Sequence, residues 1–243
     1  MRRSRTGRLL LALALMVLFV VGVVIVVGEV WVRPAVEDRI AEGIVDELGL
    51  TQEPDVKVRG FPLVLRALQE KLDGIDVSAE GEVFEGLRVE SVELRIDNVA
   101  FETGELLRGN GTVRISGGDG RAEIVDDDLT AYLASMGLLA NVEFRSGSVR
   151  VSGPISFAGV STEVATTGTL GLTGDTMTFV PTGVELGGLS AVVDRAAAES
   201  IVRTHFTFQA PVPELRGVQL VAVRVGDGVA TIDATFDALD VTY

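Results

Sequence analysis

The sequence predicts an α+β protein: a long, strongly curved antiparallel β-sheet wrapped around amphipathic helices, preceded by one N-terminal transmembrane helix. Three observations predict it. Leu9 to Val27 is an unbroken apolar run. Apolar residues recur every third or fourth position in a few short stretches, the period of a helix with one buried face. Elsewhere the period is two, as in half-buried strands, and a change of phase at Ser91-Val92 suggests a bulge that bends the sheet.

The apolar run reaches Gly28, and about 20 such residues cross a bilayer core. Arg2, Arg3, Arg5 and Arg8 lie on its N-terminal side, which keeps that end cytoplasmic by the positive-inside rule. Trp31 and Arg33 follow at the depth of an interfacial anchor. The run exceeds the usual apolar region of a cleaved signal, and Val27-Gly28-Glu29 is a poor cleavage site. The expected organisation is a cytoplasmic basic tail at 1–8, a transmembrane signal-anchor at 9–28 and an exported domain at 29–243, on the periplasmic or cell-envelope side of the cytoplasmic membrane.

Pro34 opens a helical stretch in which Val36, Ile40, Ile44 and Leu48 recur every fourth residue and Gly49 marks the stop. Val56 and Val58 alternate with Asp55, Lys57 and Arg59 in a short strand. Phe61-Pro62 starts a second helix carrying Leu63, Leu65, Leu68 and Leu72, with Asp73-Gly74 as its exit. Strands follow through Ile75, Val77 and Ala79, through Leu87 and Val89, and through Val92, Leu94 and Ile96. Thr112–Ser116 and Arg121–Val125 are two more, separated by Gly117-Gly118-Asp119-Gly120 as a turn. Asp126-Asp127-Asp128 caps a short helix bearing Leu129, Tyr132, Leu133 and Met136 and closed by Gly137; its acids suit the positive end of the helix dipole.

Val142 to Val180 alternates in segments such as Ser148–Ser152 and Thr162–Leu172, with Gly168 to Gly174 as turns. A third helix is expected over Ser190–Arg203, presenting Val192, Val193, Ala196 and Ile201. Strands return at Thr204–Gln209, Val218–Val225 and Val229–Phe236, the last two joined at Asp227-Gly228, a strong hairpin signal. Gly86, Leu87, Val89, Val92 and Leu94 echo Gly217, Val218, Leu220, Val223 and Val225, as if two similar hairpins line one sheet.

Composition narrows the function. The 243-residue chain carries a formal charge of −14, and its part beyond the four leading arginines is more acidic still. Such a surface repels phosphate backbones, so nucleic acid is not an expected partner. There is no cysteine, which removes disulfides, thiolate nucleophiles and Cys-based zinc sites together. The single histidine, His205, has no second histidine or cysteine to share a zinc ion. The run Asp126–Asp128 lacks the ligand spacing and glycine of a calcium loop. No nucleophile elbow and no phosphate-binding glycine motif occurs. Asn110-Gly111-Thr112 fits a glycosylation sequon and, preferably, a tight turn. No catalytic residue, metal or cofactor is expected, and the chain is expected not to be an enzyme.

What remains is a surplus of apolar residues on helices. Val36, Ile40, Ile44 and Leu48, then Phe61, Leu65 and Leu68, then Leu129, Leu133 and Met136, and finally Val192 and Ala196, line a groove if the sheet curves over them. Each, taken singly, is better explained by an ordinary core.

The order of these features resembles the LmeA-type actinobacterial phospholipid-binding family. The resemblance runs from about Val36 to Val241. It rests on Leu48-Gly49-Leu50, Gly60-Phe61-Pro62, Lys71-Leu72-Asp73-Gly74-Ile75-Asp76-Val77, Gly86-Leu87-Arg88-Val89, the segment from Phe208 to Pro213 and the Gly217–Val225 strand before its Asp-Gly turn. It implies a fold similar to the tubular lipid-binding proteins, including bactericidal/permeability-increasing protein, with an apolar groove for acyl chains. It also implies phospholipid binding in the cell envelope and, in some members, support of lipid-linked mannan synthesis. Gly147 to Gly188 matches less clearly.

The physical demand is independent of the resemblance. Exposing an acyl chain costs about 0.8 kcal/mol per methylene, so about 16 carbons need roughly 12 kcal/mol of replacement burial. One or two head-group hydrogen bonds cannot supply that. An envelope scaffold with a filled core and no lipid is the alternative expectation.

Overall fold

A computed structural model describes residues 5–84, 86–102, 112–157, 160–173, 176–186, 196, 199–200, 208–211 and 217–242. The chain begins with a helix, α1 (Arg5–Val27), that passes through a wide π-turn (Gly28–Val32) directly into α2 (Arg33–Leu48). The sequence predicts a fresh start at Pro34; instead the helix runs on. Proline has no N–H to give and its ring crowds the carbonyl four residues back. The π-turn just before it, in which the Arg33 N–H reaches Gly28 O, widens the ladder where that crowding falls. The continuous rod is about 65 Å long at roughly 1.5 Å per residue. Its apolar part is the one described helix long and apolar enough to cross a membrane, and side chains such as Leu18 and Phe19 project outward. At the far end Gly49 (φ 64) adopts the left-handed turn that closes α2, its N–H on Val45 O.

All strand pairing is antiparallel, but the expected single sheet is divided in two. The larger contains β1 (Asp55–Arg59), β2 (Lys71–Phe84), β3 (Leu87–Phe101), β4 (Thr112–Val125), β10 (Val218–Val225), β11 (Val229–Phe236) and β12 (Leu239–Thr242). Its order is β1-β2-β3-β4-β11-β10, with β12 continuing along β4 in the register of β11. The smaller is a meander of β5 (Asn141–Arg145), β6 (Ser148–Phe157), β7 (Val160–Thr173), β8 (Thr176–Glu185) and β9 (Phe208–Pro211). Two short helices, α3 (Leu63–Leu68) and α4 (Asp126–Ser135), complete the described elements. The echoing segments β3 and β10 do lie in one sheet, each entered through a left-handed glycine, Gly86 and Gly217.

Several sequence expectations are corrected. The second helix stops at Leu68; Leu72 and Asp73-Gly74 already belong to β2, because Glu70 (φ 56) turns the chain into the sheet. Gly117-Gly118-Asp119-Gly120 is not a turn but the middle of β4. A Cβ on Gly118 would stand 2.0 Å from the Arg95 carbonyl oxygen and 2.4 Å from the Phe236 ring, so these strands close up only around glycine. Gly168 and Gly171 likewise lie within β7, with a bulge at Thr167/Gly168. The register between β2 and β3, and between β3 and β4, shows no shift at Ser91-Val92. The phase change falls elsewhere. Asn98 (φ 47) and Gly117 (φ 129) sit on one line across the sheet, and there the inward side passes from Leu72, Val99 and Val113 to Ile75, Ile96 and Gly118.

Two cores form. In the first, Ala41 and the half-buried Val36, Ile40 and Ile44 of α2 pack on Val56, Val58, Leu63, Leu72, Ile75 and Val99. In the second, Leu129 and Leu133 of α4 pack with Val142, Phe144, Val149, Val151, Phe179 and Ala230, joining the two sheets. Hydrogen bonds tie the same joint: Gly147 N–H to Val225 O (2.8 Å), Gly228 N–H to Phe144 O (3.0 Å) and Ser146 N–H to the Asp227 carboxylate (2.8 Å). Asp126 stands in the first turn of α4 with Asp127 and Asp128, as the dipole favours, but its carboxylate also crosses over to accept the Phe144 N–H.

Candidate functional site

Strand register builds the site. Across the larger sheet, Val77 pairs with Leu94, Leu94 with Gly120, Gly120 with Ala234 and Ala234 with Leu220. The next row runs Ala79, Val92, Ala122, Ile232, Val223. Every member of both rows is apolar and half-buried. They lie on the side of the sheet that carries Ile75 toward α2 at one end and Ala230 toward α4 at the other. Five strands at roughly 4.8 Å spacing make each row about 19 Å across. Its centre is shallow, because β4 contributes Gly120 and Ala122, and nothing comes nearer the missing Gly120 side chain than Leu94 Cδ1, at 3.5 Å from the Cβ position. A partly open apolar strip with small residues at mid-span thus separates the two cores.

The reverse of the same strands is polar. Lys57, Asp76, Arg95, Asp119 and Thr235 form one row and Asp55, Ser78, Glu93, Arg121 and Asp233 the other. These residues, with Val77, Leu94, Gly120 and Ala234 of the strands between them and the exposed Val221, line a concave cleft of about 440 Å³. Its charges are largely matched internally: Arg59 pairs with Asp76 (3.0 Å) and Arg121 with Asp233 (3.1 Å). A hydrocarbon chain gains nothing against such a lattice, since it would strip water from charges. The apolar side is the one suited to an acyl chain.

The residues singled out from sequence fall into three places. Val36, Ile40 and Ile44 pack in the first core and Leu129 and Leu133 in the second, bounding the strip at its ends. Leu48 at the end of α2 is exposed, as is Met136 beyond α4. Phe61, Leu65 and Leu68 are exposed beside α3, close to the π-turn. Ala196 is helical and exposed, while Val192, Val193, Ile201, His205 and Asn110-Gly111 lie outside the described residues. Leu138 and Leu139, not singled out from sequence, are exposed beside a shallow depression of about 290 Å³ against Gly153 and Pro154.

Sequence reasoning missed Gly120 and Ala122, the floor of the strip, and Gly118 in the row beside it. The signal was present: Asp119, Arg121 and Glu123 alternate with Gly118, Gly120, Ala122 and Ile124 in strict period two. Glycine in such a line reads as punctuation, but at Gly118 it marks close packing of strands. Also missed was Glu82, which is 2 % exposed. Its carboxylate accepts the Thr51 N–H, the Thr51 hydroxyl and the Gln52 N–H, each at 2.9 Å, fastening the segment after α2 to β2. The Thr51 N–H foremost, against the opposing effect of burial and with help from the other two donors, holds its carboxyl below the usual range.

The family described as LmeA-like phospholipid-binding matches residues 27–235. The chain belongs to that family. The match begins at the last residue of α1 and covers both sheets up to the end of β11. The family is one of lipid binding rather than of a known catalytic activity. No curated protein and no solved structure matches the chain. For an LmeA-like chain, the half-covered apolar strip is the feature whose chemistry fits the family's ligand.

Proposed function

We propose that this LmeA-like protein holds a phospholipid by laying an acyl chain along the strip formed by the Val77 and Ala79 rows, with its head group at the edge of the sheet. The observation that carries this is the pair of unbroken apolar rows, small at mid-span, left half-buried between two packed cores. A chain covered on one face keeps about half of the roughly 0.8 kcal/mol per methylene available on full burial, so about 16 carbons gain about 6 kcal/mol, half of the roughly 12 kcal/mol that full withdrawal from the bilayer requires. The α2 residues Val36, Ile40 and Ile44 close one end of the strip and the α4 residues Leu129 and Leu133 the other; Leu48, Phe61, Leu65, Leu68, Met136 and Ala196 belong to its approaches.

Residues 9–28 anchor the chain in the cytoplasmic membrane, with residues 1–8 inside and 29–243 on the envelope side. In that position the domain shuttles or holds lipid in support of envelope lipid or lipoglycan maintenance. Tethering raises its effective concentration at the bilayer, which offsets repulsion between an acidic domain and anionic lipid. Native mass spectrometry of the full chain, released from nanodiscs containing phosphatidylethanolamine and phosphatidylglycerol, tests the reading. Retained stoichiometric phospholipid supports it; consistent recovery of lipid-free protein under mild conditions overturns it in favour of a scaffold.

A further inference from the structure

The helix turn that follows the apolar run is locked to the domain by polar bonds. The Arg33 guanidinium donates to Val58 O and, at 2.6 Å, to Gly60 O, and it pairs with Glu29. The other carboxylate oxygen of Glu29 accepts the Leu63 N–H, and Glu37 accepts the Val58 N–H at 2.8 Å. Glu29, Arg33 and Glu37 are all half-buried, so this is a built joint and not a set of solvated surface pairs. It fastens the start of α3 to Glu29, two residues beyond Val27, the last residue of the apolar helix, and the end of β1 to Arg33 and Glu37 one and two turns further on.

What it fastens there is oily. Leu63 turns inward at 2 % exposure, whereas Phe61, Leu65 and Leu68 are 68 %, 50 % and 77 % exposed. Trp31, on the π-turn itself, is 76 % exposed. Three large apolar side chains on one short segment, flanked by the exposed Gln69, Glu70 and Lys71, have the apolar and polar division of an element lying in a membrane interface. Trp31 is the residue type that favours that depth.

We propose that Phe61, Leu65 and Leu68 form a second membrane contact. They enter the boundary between head groups and acyl chains of the same leaflet from which α1 emerges, and the Glu29–Arg33–Glu37 joint fixes the tilt of the domain on the bilayer. This rests on the reading that α1 spans the membrane. The occupant is the bilayer because the segment is bonded to the turn adjoining the span, leaving no room for it to stand far from the surface. A fixed tilt turns the α3 end of the larger sheet toward the lipid, so a lipid enters or leaves the strip from that end.

The chain has no cysteine, so single nitroxide labels report without background. Full-length F61C, L65C and L68C are labelled in vesicles of phosphatidylcholine and phosphatidylglycerol, with V20C as a reference inside the span and L139C as one distant from it. Collision rates with oxygen and with a water-soluble nickel chelate give the depth of each. The expected result is an oxygen-to-nickel ratio at Leu65 and Leu68 at least threefold that at Leu139. Ratios equal to Leu139, with Val20 deep in the bilayer, overturn the contact while leaving the span intact. An aqueous signal at Val20 overturns the spanning reading and the contact with it.

Discussion

Replacing Ala122 by aspartate places a carboxylate at the centre of the apolar strip, between Val92 of β3 and Ile232 of β11. Neighbouring side chains across strands lie about 5 Å apart, so a hydrated carboxylate displaces about three methylenes of a chain lying over that point. At about 0.4 kcal/mol each for a chain covered on one face, the loss is about 1.2 kcal/mol, or roughly eightfold in Kd. The fold tolerates the change, because Ala122 is half-buried and belongs to neither packed core. The β-propensity cost is about 1 kcal/mol, small against the stability of a domain. The assay is displacement of a phospholipid bearing a fluorescent acyl chain, alongside the amount of lipid that co-purifies. Ala122→Thr, which keeps strand propensity and adds little polarity, should weaken binding only slightly. Arg121→Gln, one residue away on the polar face, should leave it unchanged, and Asp233 keeps Arg224 as a partner. A folded A122D protein that binds lipid as tightly as the parent chain refutes the placement of the acyl chain.

Three further outcomes test the framework. Glu82→Ala removes the acceptor of three hydrogen bonds and should cost about 2 kcal/mol in denaturant unfolding, with the loss of protection concentrated at Thr51 and Gln52. Because the folded Glu82 carboxyl titrates below its unfolded value, its contribution is present above about pH 4.3 and disappears as pH falls through the lowered folded value; Glu82→Gln should flatten that part of the acid-unfolding curve, and an unchanged curve would contradict the assignment. Gly118→Val should destabilise by about 3 kcal/mol in denaturant unfolding or prevent folding, since its Cβ meets the Arg95 carbonyl, whereas Gly171→Ala, with open space around it, should cost under about 1 kcal/mol by the same measurement. Asp227→Ala should cost about 1 kcal/mol and speed amide exchange at Ser146, the donor it loses across the joint between the sheets, while leaving exchange in β2 and β3 as before.

Local sequence determined the elements wherever chemistry is periodic or punctuated. The apolar run, the fourfold spacing of Val36, Ile40 and Ile44, the acids that open α4 and the Asp227-Gly228 hairpin all announced themselves, because helix faces, dipoles and tight turns are decided within a few residues. Family membership was legible for the same reason, through short motifs at turns and strand ends. Tertiary structure decided what glycine means. Gly118 and Gly120 look like punctuation in a line of text, yet both lie inside β4, where β3 and the Phe236 ring close over Gly118 and Gly120 forms the floor of a strip. It also decided that Pro34 is absorbed by a π-turn and not used as a start, that one sheet becomes two joined at Asp227, and that Leu65 and Leu68 face outward while Leu63 does not. None of these follows from local propensity, because each depends on which distant backbone comes to lie within a side chain's reach.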